Sequence, residues 1–286
     1  MMMKSGWIPD PPDPRDYTVD HRVVRPFVES LGIAEPSAAL PDAVDLRAFF
    51  PPVIDQNPLN SCTAATAAAI MSYFQRKAHD RQIEPSVLFL YKVTRNLLGL
   101  RGDSGALLRT SMHALRLFGV LPEQRWPYDP ALVDVEPDTF HYLFAANYKA
   151  KAYYRLDTSG VDGEALLARL RTNLAAQLPA MFGLFAFPSL AFAAATGAVP
   201  YPARGERPTL SHALVAVGYD DGKEVRNPID GVTRRGALRV RNSWGPQWGE
   251  AGYGWLPYAY ILNGLTSDWW SVVEADFVDE GQFGFQ

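Results

Sequence analysis

At 286 residues the chain exceeds the usual size of one hydrophobic core, so either one large domain or two packed lobes is expected. With 48% hydrophobic and 12% aromatic residues it can fill such cores, which excludes a disordered chain. A net charge of −4, from 27 basic and 31 acidic residues, leaves no basic surplus and makes nucleic acid a poor partner.

The first 40 residues differ from the rest. Trp7-Ile8-Pro9-Asp10-Pro11-Pro12-Asp13-Pro14 is proline-dense and predicts an extended polyproline arm. His21 to Leu31 predicts a short helix, and Glu35-Pro36-Ser37 a linker. Trp7, Tyr17 and Phe27 argue that part of this arm packs on something, since disordered tails are poor in aromatics. Met1 to Trp7 lacks the apolar core of a signal peptide, and no run of about 18 apolar residues is present to span a membrane. A cytoplasmic protein, or one exported without a leader, is expected.

From Ser61 the pattern turns helical, with Ile70, Tyr73, Phe74 and Lys77 at helical spacing. A second helix is predicted over Ser86 to Leu98 and a third over Leu107 to Phe118, stopped by Gly119. Beyond Asn147 the pattern changes. Lys149 to Leu156 and Ala180 to Phe187 read as strands, separated by a helix over Asp162 to Leu178. Ala213 to Tyr219 and Gly236 to Arg241 read as a hairpin joined by an extended loop, Asp220 to Arg235. The whole is an α+β architecture with a proline-rich arm over 1–40, a helical lobe over 41–146 and a β-rich lobe over 147–286.

The single cysteine, Cys62, excludes an internal disulfide and a multi-cysteine zinc site. The five histidines are scattered, with no His-x-x-x-His pair, so neither a metal nor another cofactor is expected. Cys62 sits where a helix begins, and the helix dipole and free N–H groups there should lower its pKa. An antiparallel hairpin brings His212, before its first strand, beside Asn242, after its second. An amide next to an imidazole fixes the ring's orientation and tautomer. With Cys62 at the other ring nitrogen, the three make an activated nucleophile. The N–H of Cys62 and the side-chain amide of Gln56 are candidate donors to a developing oxyanion.

These segments resemble a known family. Asp45-Leu46-Arg47, then Val53-Ile54-Asp55-Gln56 and Cys62, look like the start of the mature domain of the papain-like cysteine peptidases. Ser211-His212-Ala213-Leu214-Val215-Ala216-Val217-Gly218-Tyr219 resembles the family's histidine motif. Arg241-Asn242-Ser243-Trp244-Gly245-Pro246-Gln247-Trp248-Gly249-Glu250-Ala251-Gly252-Tyr253-Gly254 resembles its asparagine motif. The resemblance implies a papain-like two-lobe fold, with a helical N-terminal lobe, an antiparallel β-sheet or barrel as the second lobe, and a cleft between them. It implies Cys62 as nucleophile, His212 as general base and acid, Asn242 as its orienting group and Gln56 in the oxyanion hole. It further implies Trp244 as a cover on the Asn242–His212 bond. Gly102-Asp103-Ser104-Gly105 takes the place of the glycine-rich substrate strand, and Ala213 lines a substrate pocket. Two departures stand out: Thr63 replaces the aromatic that usually follows the nucleophile, and the family's disulfides are absent.

A monomeric endopeptidase acting on peptides or proteins is expected, with the arm over 1–40 as its own inhibitor and cleavage near Leu40-Pro41. A transglutaminase-like acyltransferase and a catalytically dead peptide-binding module are the alternatives.

Overall fold

The computed structural model describes residues 6–35, 39–79 and 83–275. The linker residues Pro36 and Ser37 lie outside these. Four helices organise the first half of the chain. The short α1 (Arg25–Ser30) belongs to the arm. α2 (Cys62–His79) is alanine-rich, and Ala64, Ala67, Ala68, Ile70, Met71 and Tyr73 are all buried. Such a helix, enclosed on several faces, is a central helix rather than a surface one. α3 (Val87–Leu98) and α4 (Leu108–Leu117) pack against it. Ser86 caps α3 by accepting the Phe89 N–H, and Gly99 ends it in the left-handed conformation, at φ +68°.

The second half builds an antiparallel sheet in the order β2-β7-β3-β4-β5-β6, with β1 (Ala43–Asp45) pairing to β4. Its other members are β2 (Ala150–Arg155), β3 (Ala180–Ala186), β4 (Leu210–Arg226), β5 (Thr233–Arg241), β6 (Tyr253–Pro257) and β7 (Thr266–Ala275). Among the described residues β2 and β6 are end strands that do not pair, so the sheet is open rather than a closed barrel. α5 (Thr139–Ala145) precedes the sheet, and α6 (Gly163–Ala175) packs on β4 with Asp162 as its N-cap. The short helices α7 (Ala193–Thr196) and α8 (Ala259–Leu262) complete the list. α2 packs against β3, β4 and β7, which places Cys62 at the junction of helices and sheet.

Two expectations change. The stretch Asp220 to Arg235 is not a loop, because β4 and β5 run on through Glu224↔Arg235 and Arg226↔Thr233 before turning at Asn227–Gly231. His212 does not precede β4 but lies within it, since Ser211 and His212 pair with Phe185 and Leu184 of β3.

The arm is docked. Trp7, Val24, Val28 and Ile33 are buried, and Arg109 and Arg116 reach the arm's Asp16 and Tyr17.

Candidate active site

Cys62 is the first residue of α2 and is fully buried. The backbone amides of Cys62, Thr63, Ala213 and Trp7 lie in hydrogen-bonding reach of its sulfur. Ala213 follows His212 directly on β4, so the strand that carries the imidazole also supplies an amide to the sulfur. On the far side of the ring, His212 Nε2 lies 2.8 Å from Asn242 Oδ1. The Ser243 N–H also donates to that oxygen, at 2.8 Å, which pins the amide's orientation. Nε2 must therefore carry the hydrogen, and Nδ1 keeps its lone pair. No hydrogen-bond partner occupies Nδ1. Trp244 stacks on the imidazole, with ring centroids 4.4 Å apart and 24° between the planes, and shields the Asn242 bond from water.

Gln56 is held from several sides. Its N–H donates to the Ser243 carbonyl at 2.8 Å, its Oε1 accepts from Ser243 Oγ at 2.6 Å, and its Nε2 donates to the Leu59 carbonyl at 2.9 Å. An amide nitrogen carries two donors, so one N–H of Nε2 remains for a substrate. Tyr128, which sequence reasoning missed, braces this loop. Its hydroxyl donates to the Gln56 carbonyl and lies 2.7 Å from Ser61 Oγ. Nothing in the Trp126-Pro127-Tyr128 segment signals that role, because the contact spans 72 residues.

The candidate substrate strand divides. The Asp103 carboxylate accepts from the Asn60 N–H at 2.6 Å and from Tyr91 Oη at 2.9 Å, while the Gly102 N–H donates to Asp134. Asp103 thus braces the loop ahead of Cys62, while Gly102 is tied to Asp134. Ser104 Oγ is taken by the Gly105 carbonyl at 3.0 Å. Gly105, at φ +76°, faces the cleft: a Cβ there would come within 2.5 Å of the Gly6 carbonyl.

The cleft is filled by the arm. Gly6 and Ile8 straddle Ala106 in a parallel bridge, with Ala106 N–H donating to the Gly6 carbonyl at 2.8 Å and Ile8 N–H to the Ala106 carbonyl at 2.9 Å. On the opposite wall Ser211 Oγ donates to the Trp7 carbonyl at 2.8 Å. Burial reverses the expected acidity of the thiol. Burial pushes the Cys62 thiol up to about 12 despite the amides around it, and burial lowers His212 to about 4. With the arm seated the pair is a neutral thiol beside a neutral imidazole.

Beyond the cleft the arm makes a charged latch. The Asp10 carboxylate is buried, accepting from the Trp270 indole at 3.0 Å and from the Arg109 N–H at 3.2 Å. Asp16 pairs with Arg109 at 2.6 Å and with Arg155 at 3.3 Å. Arg155 also binds Asp157 at 3.0 Å and Asp268 at 2.7 Å.

An α+β fold with a thiol, imidazole and amide assembled at the helix–sheet junction defines a cysteine peptidase of the papain type, and the chain belongs to the papain family of cysteine proteases, whose profile matches residues 40–263. Among its relatives is an uncharacterized peptidase C1-like protein of Acanthamoeba polyphaga mimivirus, 32% identical over 94% of this chain and 86% of that one. Xylellain, a cysteine protease from Xylella fastidiosa, superposes with a TM-score of 0.73 at 31% identity, over 96% of this chain and 97% of its own. The ragweed cysteine protease Amb a 11 in its proform shares the fold, with a TM-score of 0.61 at 23% identity over 87% of this chain and 70% of its own.

Proposed function

We propose that the chain is a cysteine endopeptidase made as a zymogen, with Cys62 as nucleophile, His212 as base and acid, Asn242 as the orienting group and Gln56 as an oxyanion donor. The observation that carries this reading is the pinned Asn242 Oδ1, which leaves the lone pair of His212 Nδ1 as the base available to the neighbouring thiol. In the first step the Cys62 proton moves to Nδ1 and the sulfur attacks the substrate carbonyl carbon. The oxygen takes the carbonyl electron pair and is met by the Cys62 N–H and the free N–H of Gln56. As the oxyanion collapses, the C–N bond breaks and the imidazolium proton passes to the departing amine. Water then loses a proton to Nδ1 and adds to the thioester. Collapse of that second intermediate frees the acid, and the proton returns to sulfur.

The arm keeps this machinery idle. Its backbone occupies both walls of the cleft, and its burial of Cys62 and His212 favours the uncharged pair. Removal of the arm lets water in and frees the two groups to form thiolate and imidazolium. Pro41 is tied down by Tyr219, whose hydroxyl donates to its carbonyl at 2.8 Å, so a cut at Leu40 would leave the peptidase domain anchored. The test is labelling of the sulfur by an epoxysuccinyl peptide. Labelling is expected to be slow in the full chain, fast after cleavage near Leu40 and absent in Cys62→Ala. Equal labelling before and after cleavage would remove the arm from the mechanism. Persistence in Cys62→Ala would remove the nucleophile.

A further inference from the structure

Behind the loop that carries Gln56 lies a cavity of about 200 Å³ that the peptidase chemistry does not use. Its floor is one face of α2, where Ala65, Ala68 and Ala69 leave room that larger side chains would fill. Pro51, Pro52, Ile54 and Val87 give it apolar walls. The volume is below the roughly 300–1,000 Å³ of pockets for drug-sized ligands, so it suits a smaller molecule.

Charges of both signs line this cavity, and neither sign is answered. Arg241 is 4% exposed, and its guanidinium donates to the Pro51 and Pro52 carbonyls at 2.7 and 2.8 Å and to the Tyr253 hydroxyl at 2.8 Å. All three acceptors are neutral, and among the described residues Arg241 makes no ion pair. Those bonds leave two of its five N–H donors over. Burial pushes its pKa down, against the help of Tyr253, as expected of a cation that lacks an anion. Glu84 and Glu123 line the same cavity, brought together by the Glu123 N–H, which donates to the Glu84 carbonyl at 2.7 Å. The Glu123 carboxylate accepts the Tyr128 N–H at 2.6 Å, and among the described residues neither carboxylate has a cationic partner. Burial, and then the charge of Glu84, raise the Glu123 pKa. Asp55, the third carboxylate of the lining, already accepts from the Asn57 side chain at 2.6 Å. A ligand that carries both signs would answer the guanidinium and the carboxylate pair together.

We infer that this cavity binds a small apolar zwitterion, an α-amino acid or a dipeptide, with its carboxylate on Arg241, its ammonium on Glu84 and Glu123, and its side chain on the alanine face of α2. A guanidinium fork matches a carboxylate in geometry as well as charge. The site also adjoins the catalytic groups along three segments of chain. Asp55 precedes Gln56, Arg241 precedes Asn242, and the Tyr128 hydroxyl bonds the Gln56 carbonyl and Ser61. An occupant therefore touches the supports of the oxyanion donor and of the orienting amide from outside the cleft. Such molecules are end products of peptide hydrolysis; that link rests on the peptidase reading above, whereas the binding does not.

The test is calorimetric titration of the full chain, in which the arm covers the cleft and no turnover is read. Leucine and the dipeptide Ala-Leu separate the two sizes of ligand, and at least one of them should bind one-to-one. N-acetylleucine lacks the ammonium and leucinamide the carboxylate; each strands one buried charge and should bind at least about tenfold more weakly than leucine. Glycine, without an apolar side chain, should also bind at least about tenfold more weakly. Ala68→Leu fills the floor without altering any charge and should abolish binding. Glu123→Gln keeps an acceptor for the Tyr128 N–H but removes the charge, and should narrow the gap between leucine and N-acetylleucine. Absence of saturable binding of leucine and Ala-Leu at millimolar concentration would overturn the site. So would leucinamide or N-acetylleucine equal to leucine, or binding that survives Ala68→Leu. Should Ala68→Leu not fold, the ligand series on the wild-type chain decides. Failure of the peptidase reading would appear elsewhere, as a Cys62 that takes no label after cleavage of the arm.

Discussion

The cleft and the latch are both buried, yet they are built on opposite principles. Around Cys62 the groups are neutral: a thiol raised to about 12 and an imidazole lowered to about 4 face backbone amides and an indole. Around Asp268 the groups are charged, with Asp10, Asp16, Asp157 and Asp268 sharing Arg109 and Arg155. A neutral site can be covered and uncovered at modest electrostatic cost. A network of buried ions is costly to leave half-paired, so each member needs the others in place. The arm joins the two regions through one residue, Trp7, whose backbone stands at the sulfur and whose indole ends on Asp268. On the proposed reading, chemistry is left to the neutral region and control of access to the charged one.

The largest expected effect separates the two regions sterically. Gly183→Ala puts a methyl carbon where the Trp7 ring lies, at 2.0 Å, and the three atoms nearest to that carbon all belong to Trp7. Expulsion of a buried tryptophan forfeits about 3–5 kcal/mol, enough to raise the exposed population by about two to four decades. Iodoacetamide labelling of Cys62 in the full chain should accelerate on that scale while the thermal unfolding of the remainder stays cooperative. Labelling at the wild-type rate would show that the arm does not control access to the thiol.

A smaller effect stays within the neutral region. Tyr128→Phe removes the hydroxyl that links the Gln56 carbonyl to Ser61 without changing the shape of the ring. Gln56 then keeps its bonds to Ser243 and Leu59 but loses one brace on its backbone. In the Trp7→Ala background, which weakens the arm's hold on the cleft, kcat should fall by about tenfold with KM unchanged, the signature of an interaction realised in the transition state. A rise in KM at constant kcat would instead make Tyr128 part of the substrate-binding surface.

How legible these regions were in the sequence follows from distance along the chain. Cys62, His212, Asn242 and Gln56 sit in compact motifs, and a hairpin suffices to bring position 212 beside position 242. The helices α2, α3, α4 and α6 appear within a few residues of their expected ends because their apolar spacing and stop signals are local. β7 escaped because its bulge breaks the two-residue alternation: Asp268, Trp269 and Trp270 are consecutive and all buried. The polar run Asp220 to Glu224 reads as a loop, although it continues β4 at the margin of the sheet. The latch was invisible because its bonds join Asp10 to Asp268 and Asp16 to Arg109 across 258 and 93 residues. The acidity of Cys62 was misread for the same reason. A helix start alone lowers a thiol's pKa, and the complete burial of Cys62 outweighs it.

The smallest effect tests whether the two regions answer each other. Docking raises Asp10 from 3.8 to about 7, first through burial and then through the charge of Asp268, against the opposing pull of Trp270, Arg109 and Arg155. A group whose pKa rises on docking favours the docked state when protonated, so this contribution weakens as pH climbs from 3.8 to about 7. His212 runs the other way. Burial lowers it from 6.5 to about 4, so on the proposed reading, in which the arm completes that burial, its contribution is complete above 6.5 and weakens as pH falls toward 4. The two windows overlap with opposite signs, and closure of the wild-type arm should vary little across them. Asp10→Asn keeps an acceptor for the Trp270 indole but removes the titration, leaving His212 unopposed. Its Cys62 labelling rate, normalised to Trp7→Ala at each pH to remove the thiol's own ionisation, should rise on the order of tenfold between about pH 7 and pH 4.5. The same ratio in the wild type should stay nearly flat. Parallel profiles for the two proteins would mean that the latch does not offset the imidazole, and that the cleft and the latch open independently.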